Sequence, residues 1–321
     1  MKELTAYRKM LNRIAGVIFI LAVVISMPAS SDDLQMIARA RAGIAELGKD
    51  FNLEIAIETR KVYTGLIDQV DTSGIKTIPD ISYGKHDLQK LDLYVSENKS
   101  AEPGPVLLFL HGGGLNGGDK ARSGSNVARF AARLGGIGLN ANYRLTPEVK
   151  FPAGAEDIRA MLDWVKQNIR QYNGDPENIF LMGISAGAAI VAIYLFSEEF
   201  HYVNGPGIRG SILASGAFRS DDEQARVDYF GEDPDLRRQR EPLGLVEGFK
   251  GKLAPVFLFS AEYDPTNIEF AVADMYARLC IKYNDCPMFT QFQGHNHLST
   301  ELSIDTADNE IANSLHYFML Q

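Results

Sequence analysis

The 321-residue sequence predicts an α/β fold: one doubly wound, mostly parallel sheet with helices on both faces. Two observations carry this. From residue 105 onward, short apolar runs that read as buried strands alternate with segments of helical period. Glycine-rich or polar turns follow the strand ends, where open α/β sheets gather their ligand sites. The chain is 45% apolar, with no repeat or linker long enough to divide it, so one large core is expected.

The N-terminus stands apart. Lys2, Arg8, Lys9 and Arg13 precede an apolar run from Ile14 to Met27, followed by Pro28, Ala29, Ser30 and Ser31. A basic start, a short apolar stretch and small residues form a signal-peptide pattern over residues 1–31. The expected location is therefore periplasmic or secreted. The run falls short of the roughly 20 residues of a membrane span, and an uncleaved anchor is the alternative. The whole chain carries a formal charge of −9, and removal of residues 1–31, net +3, takes it to −12. An acidic chain of this kind argues against nucleic acid or an anionic membrane surface as a partner.

Residues 32–75 read as helical, with Leu34, Ile37, Ile44 and Leu47 at helical spacing and Asp32 and Asp33 as caps. Ile81-Ser82-Tyr83 and Leu91 to Val95 alternate as paired edge strands do. Then follow strand 105–111, helix 123–134, strand 136–143, helix 154–171, strand 178–183, helix 186–198 and strand 208–214. Helix 154–171 places Ile158, Met161, Leu162, Val165 and Ile169 on one face, which is core patterning. Residues 219–246 are rich in charge and read as an exposed insertion that lines a cleft. Strand 254–260, helix 266–280, strand 287–293 and a final helix over 306–319 complete the pattern. Cys280 and Cys286 are close in sequence. They either close a small disulfide loop in an oxidising compartment or remain buried thiols.

The chemistry sits in the turns. Ile179-Phe180-Leu181-Met182 runs into Gly183-Ile184-Ser185-Ala186-Gly187, a serine on a strand-to-helix turn. Side chains at Gly183 and Gly187 would clash where strand and helix approach, and the helix N-terminus favours negative charge near the serine. Upstream, Val106 to Leu110 leads into His111-Gly112-Gly113-Gly114, a loop of unshielded backbone N–H groups suited to an oxyanion. A phosphate loop is excluded, since the chain continues Gly117-Gly118-Asp119-Lys120 without the Gly-Lys-Ser/Thr ending. Downstream, Asp264 follows strand 254–260, and His295 and His297 follow strand 287–293. The order Ser, Asp, His is that of α/β-hydrolases.

These residues resemble the α/β-hydrolase-3, or hormone-sensitive-lipase-like, carboxylesterases. The resemblance rests on Leu91-Asp92-Leu93-Tyr94, His111 to Gly114, Gly118-Asp119-Lys120, Asn142 to Glu148, Phe151-Pro152-Ala153 with Glu156-Asp157, Gly183 to Gly187, and Ala261 to Pro265. It covers roughly residues 78 to 321. The chain departs from the pattern at Leu115, where relatives often carry an aromatic residue, and at Asn296-His297-Leu298-Ser299, where many have His-Gly-Phe. The resemblance implies an α/β-hydrolase fold with a small helical cap, to which residues 32–75 and 219–246 would contribute.

It also implies roles. Ser185 is the expected nucleophile, His297 its base and Asp264 the residue that orients the imidazole. The N–H groups of Gly113, Gly114 and Ala186 would hold the oxyanion, with His111 supporting the glycine loop. His297 precedes apolar Leu298, as a loop-anchored base should; His295, followed by polar Asn296, is the alternative. Arg144 and Asp157 read as a structural polar pair. No cofactor or metal is expected, because a triad supplies its own base and no C-x-x-C or histidine cluster at ligand spacing is present. The expected activity is hydrolysis of short-to-medium carboxylic esters, a small-molecule substrate, through an acyl-enzyme. An arylformamidase-like amidase and a non-catalytic binding protein on the same fold are the alternatives.

Overall fold

The computed structural model describes residues 30–98, 100–219 and 223–321. The basic and apolar stretch of the signal-peptide reading, up to Ala29, lies outside the described residues. Helices α1 (Ser31–Leu47) and α2 (Leu53–Ile67) come first. Ser30, not Asp32, caps α1: its hydroxyl accepts the Asp33 amide at 3.1 Å, and Asp33 in turn accepts the Ser30 amide at 2.9 Å. The helical stretch expected over 32–75 is thus two helices, broken at Gly48, which sits at φ 69°. Leu34 points outward, while Ala40 and Ile44 are buried.

Eight strands form one sheet in the order β1-β2-β4-β3-β5-β6-β7-β8. They are β1 (Ile75–Ser82), β2 (Lys90–Ser96), β3 (Gly104–Leu110), β4 (Ile137–Ala141), β5 (Gly174–Ile184), β6 (Gly210–Ala214), β7 (Val256–Tyr263) and β8 (Met288–Asn296). β1 pairs antiparallel with β2, and β2 antiparallel with β4; the other pairs are parallel. β1 is therefore an edge and β2 is not. The alternation along β3 shows why both faces need cover. Val106, Leu108 and Leu110 join one core, and Leu107 and Phe109 the other.

The first core is closed by α4 (Ala153–Asn168), α5 (Ala186–Leu195) and α9 (Thr266–Tyr283). Ile158, Met161, Leu162, Val165 and Ile169 all face it with no exposed surface. α5 is buried along its whole length, as a helix without a polar face must be. The second core is closed by α3 (Ser125–Arg133) and α11 (Glu310–Met319). The charged stretch 219–246 differs from the exposed insertion expected of it. It holds α6 (Gln224–Phe230), α7 (Pro234–Arg240) and α8 (Pro242–Gly248), and Tyr229, Phe230, Leu243 and Val246 are buried in the first core. A short helix, α10 (Ser299–Leu302), follows β8. Cys280 and Cys286 are joined, the first inside α9, which runs to Tyr283, and the second beyond it.

Candidate active site

The parallel register brings the carboxyl ends of the inner strands to one edge. Leu110 lies beside Gly183, Ile184 beside Ala214, Ala214 beside Phe259, and Tyr263 beside Asn296. Gly112–Gly114, Ser185, Asp264 and His297 therefore leave the sheet on the same side.

Ser185 is held at φ 55° and ψ −119°, a conformation non-glycine residues seldom adopt. Its neighbours over-determine it. Its N–H donates to Ala214 O at 3.0 Å, and its carbonyl accepts from Ala217 N at 3.2 Å and Ala189 N at 3.1 Å. The flanking glycines are explained by close approach. A Cβ on Gly183 would lie 2.4 Å from the Gly187 backbone, and one on Gly187 would lie 2.3 Å from Leu110 O. Gly112 passes directly against the serine, since a Cβ there would meet Ser185 Cβ at 3.1 Å.

The glycine loop is fixed from behind. The His111 ring nitrogen Nδ1 donates to Gly112 O at 2.6 Å, its ring stacks on Tyr143 at 4.6 Å, and Tyr143 Oη donates to His111 O at 2.9 Å. Burial pushes the His111 imidazole below its usual range, so it is kept neutral. Gly113 and Gly114 turn with φ 122° and 65°. Ala186 opens α5, and its backbone stands at the positive end of the helix dipole. Arg144 and Asp157 form the expected pair, at 2.7 Å, beside Gln89.

Asp264 has no exposed surface. Its Oδ1 accepts from His297 Nδ1 at 2.7 Å, and its Oδ2 accepts from Ser215 Oγ and from the Ala261 amide, each at 2.7 Å. This fixes the imidazole tautomer with Nδ1 protonated and Nε2 free to accept. Ser185 and Asp264 are both bonded to the turn after β6, through Ala217 and Ser215. Among the described residues no hydrogen bond joins Ser185 to His297, whose ring bonds to Asp264. His295 lies apart from Asp264. It is wholly buried, with Nδ1 at 3.3 Å from Tyr63 Oη and 3.2 Å from Ser299 Oγ.

Several residues around these turns were not singled out from the sequence. Ser215 (φ 42°) follows β6 as Ser185 follows β5, so its place at a strand end was the available signal. Phe51, between α1 and α2, sets its ring edge-on against His297 at 4.7 Å. Asn296 donates to Thr59 Oγ1 on α2 at 2.8 Å. Glu301 is buried and accepts from Ser123 Oγ and the Gly124 amide; its burial raises its pKa. A cavity of about 270 Å³ opens beside Ala217, lined by Ile268, Phe270, Ala271, Asn267, Arg219 and Arg226. Among the described residues no group of three or more His, Cys, Asp or Glu side chains is placed to hold a metal ion.

A family model described as alpha/beta hydrolase fold matches residues 107–279. Esterase-5C of Drosophila pseudoobscura pseudoobscura is 32% identical over 134 residues, covering 39% of this chain and 24% of the relative. Esterase LipC of Mycobacterium tuberculosis is 30% identical over 113 residues, covering 35% of this chain and 28% of the relative. The matched region thus spans about a quarter of these relatives' length. Among solved structures, Esterase B from Lactobacillus rhamnosis superposes with a TM-score of 0.65 at 18% identity, over 91% of this chain and 95% of that one. A thermostable esterase from Pseudomonas putida gives 0.62 at 21% identity, over 88% and 94%. At such identities the likeness is one of fold.

Proposed function

The chain belongs to a family of the α/β-hydrolase fold, and on that premise we propose that it is a serine carboxylesterase acting on short-to-medium carboxylic esters. The observation that carries the reading is the His297–Asp264 hydrogen bond, at 2.7 Å, at the sheet edge where the Ser185 turn emerges. The esterase names of the relatives support the reaction class.

In this reading Ser185 Oγ attacks the ester carbonyl while His297 Nε2 takes its proton. Asp264 holds the other ring nitrogen and stabilises the imidazolium as it forms. The tetrahedral oxyanion is met by the N–H groups of Gly113, Gly114 and Ala186, each donor typically worth about 2.7–4 kcal/mol in the transition state. His297 then protonates the leaving alcohol. Water, activated by the same base, releases the acid from the acyl-enzyme. α1–α2, with Phe51 at His297, and the 219–246 stretch, with Glu223 beside Gly114, act as cap elements. Export is part of the proposal, supported by the N-terminal pattern and the closed Cys280–Cys286 pair.

The test is a chain-length series of nitrophenyl esters, from acetate to decanoate, beside N-formyl arylamines. Turnover is expected for the shorter esters. Turnover of formamides alone would make the protein an amidase, and turnover of neither would make it a binding protein.

A further inference from the structure

We propose that Thr59, on helix α2, is a positioning residue for His297, acting through Asn296; this rests on His297 being the base. Thr59 is a polar side chain with no exposed surface. Its hydroxyl donates to Ile55 O at 2.8 Å and accepts Asn296 Nδ2–H at 2.8 Å. Asn296 is the last residue of β8 and directly precedes His297. Its own side chain is gripped at the other end, where Oδ1 accepts the Ser299 amide at 3.0 Å. Its backbone N–H donates to Ser299 Oγ at 2.9 Å. The backbone that carries the base is therefore held between its own turn and a helix 237 positions earlier in the chain. The same helical pair meets the base a second time, through the Phe51 ring at 4.7 Å. The loop bearing Phe51 is tied to α9 by Lys49 and Glu269 at 2.7 Å.

The Asp264 hydrogen bond fixes one ring nitrogen but leaves the imidazole free to swing about that contact. The Asn296 anchor removes this freedom from the backbone side, and Phe51 removes it from the ring side. Docking of the helical pair does not depend on the Thr59 hydroxyl. Ile44, Tyr63 and Leu66 pack against Leu302, Leu298 and Tyr263 without it. Loss of the hydroxyl leaves the Asn296 amide unpaired in a buried place, and Asn296 must turn to find another acceptor. That displaces His297 and registers in the chemical step.

The experiment compares Thr59→Val, which keeps the shape, with Thr59→Ser, which keeps the hydroxyl, in the full chain. The substrate is a nitrophenyl ester, with circular dichroism as the fold check. Thr59→Val is expected to lower kcat about tenfold with KM within about twofold of wild type, and Thr59→Ser to restore kcat. The low-field proton resonance of His297 Nδ1–H should move in the valine variant and return in the serine variant. A folded Thr59→Val with wild-type kcat overturns the proposal, as does a loss of kcat that serine does not repair. If the valine variant does not fold, Asn296→Ala, which removes the other partner of the same hydrogen bond, carries the test. It should lower kcat about tenfold at unchanged KM, and a wild-type kcat there overturns the proposal. Ser185→Ala and His297→Ala run alongside separate the two levels. Activity surviving in them refutes the triad itself, whereas their loss with full activity in Thr59→Val refutes only the positioning.

Discussion

Two imidazoles two residues apart have different surroundings because β8 ends at Asn296: His295 still lies in the strand, whereas His297 has left it for the turn that follows. His297 turns toward Asp264 and lies under the Phe51 ring, whereas His295 turns into a pocket of Tyr63, Ser299 and Asp308. Only the first has a carboxylate at hydrogen-bond distance and a ring nitrogen left to accept a proton. His297→Ala should therefore lower ester hydrolysis by at least about a thousandfold, while His295→Ala keeps it within about tenfold. The comparison is made at neutral pH on folded protein; the reverse pattern would move the base to His295. At this scale the sequence exposed what acts locally. Ser185, Gly183 and Gly187 share one turn, and Asp264 and His297 each follow a strand end. Thr59 and Phe51 gave no such signal, because their partners lie far along the chain.

The α1–α2 pair docks as an element on the turns that carry the site. Besides the apolar contacts, Arg41 pairs with Asp308 at 2.6 Å and with Glu310 at 2.8 Å, and Tyr63 Oη donates to Asp308 at 2.9 Å. His295 sits inside this polar junction, and burial holds its pKa below the ordinary 6.5; Asp308 and Glu310 pull it up, and Arg41 pushes it down. A folded-state value below the unfolded one means that the unfolded chain binds the extra proton first as pH falls. The stability tied to His295 is thus fully present above about pH 6.5 and is lost as pH drops through the folded value. His111, whose pKa burial also lowers, acts in the same direction. The thermal midpoint should fall between pH 7.5 and 5.5, and less steeply for His295→Gln than for the wild type. Equal slopes would show that His295 is not a buried neutral group. The elements themselves were readable where their period was strong, as in α4 with its apolar face. The three short helices after β6 were hidden by charge. Asp233 before Pro234 is a helix start that this charge obscured, and Arg226 and Arg237 are buried despite it.

In the whole molecule, the five strands that carry the site's turns, β3 and β5 to β8, set their carboxyl ends along one edge, and that register turns separate turns into one site. The alternation of strands and helices made the parallel sheet legible. The strand order did not follow from it, since β4 lies between β2 and β3 only because the chain crosses over. The Cys280–Cys286 link sits at the end of α9 and closes a short loop. Such a loop constrains the unfolded chain modestly, so reduction should cost about 2 kcal/mol of stability and leave hydrolysis intact. Denaturation of oxidised and reduced protein checks this, and equal stability would contradict it. The central claim, that Ser185 is a nucleophile activated by His297, meets its most direct test in covalent labelling. The purified chain is treated with a serine-directed fluorophosphonate, and the adduct is located by peptide mass mapping in wild type and His297→Ala. One adduct per wild-type chain, on the Ser185 peptide and lost in His297→Ala, is the predicted result. An adduct on a different residue, or none on Ser185, would contradict the account.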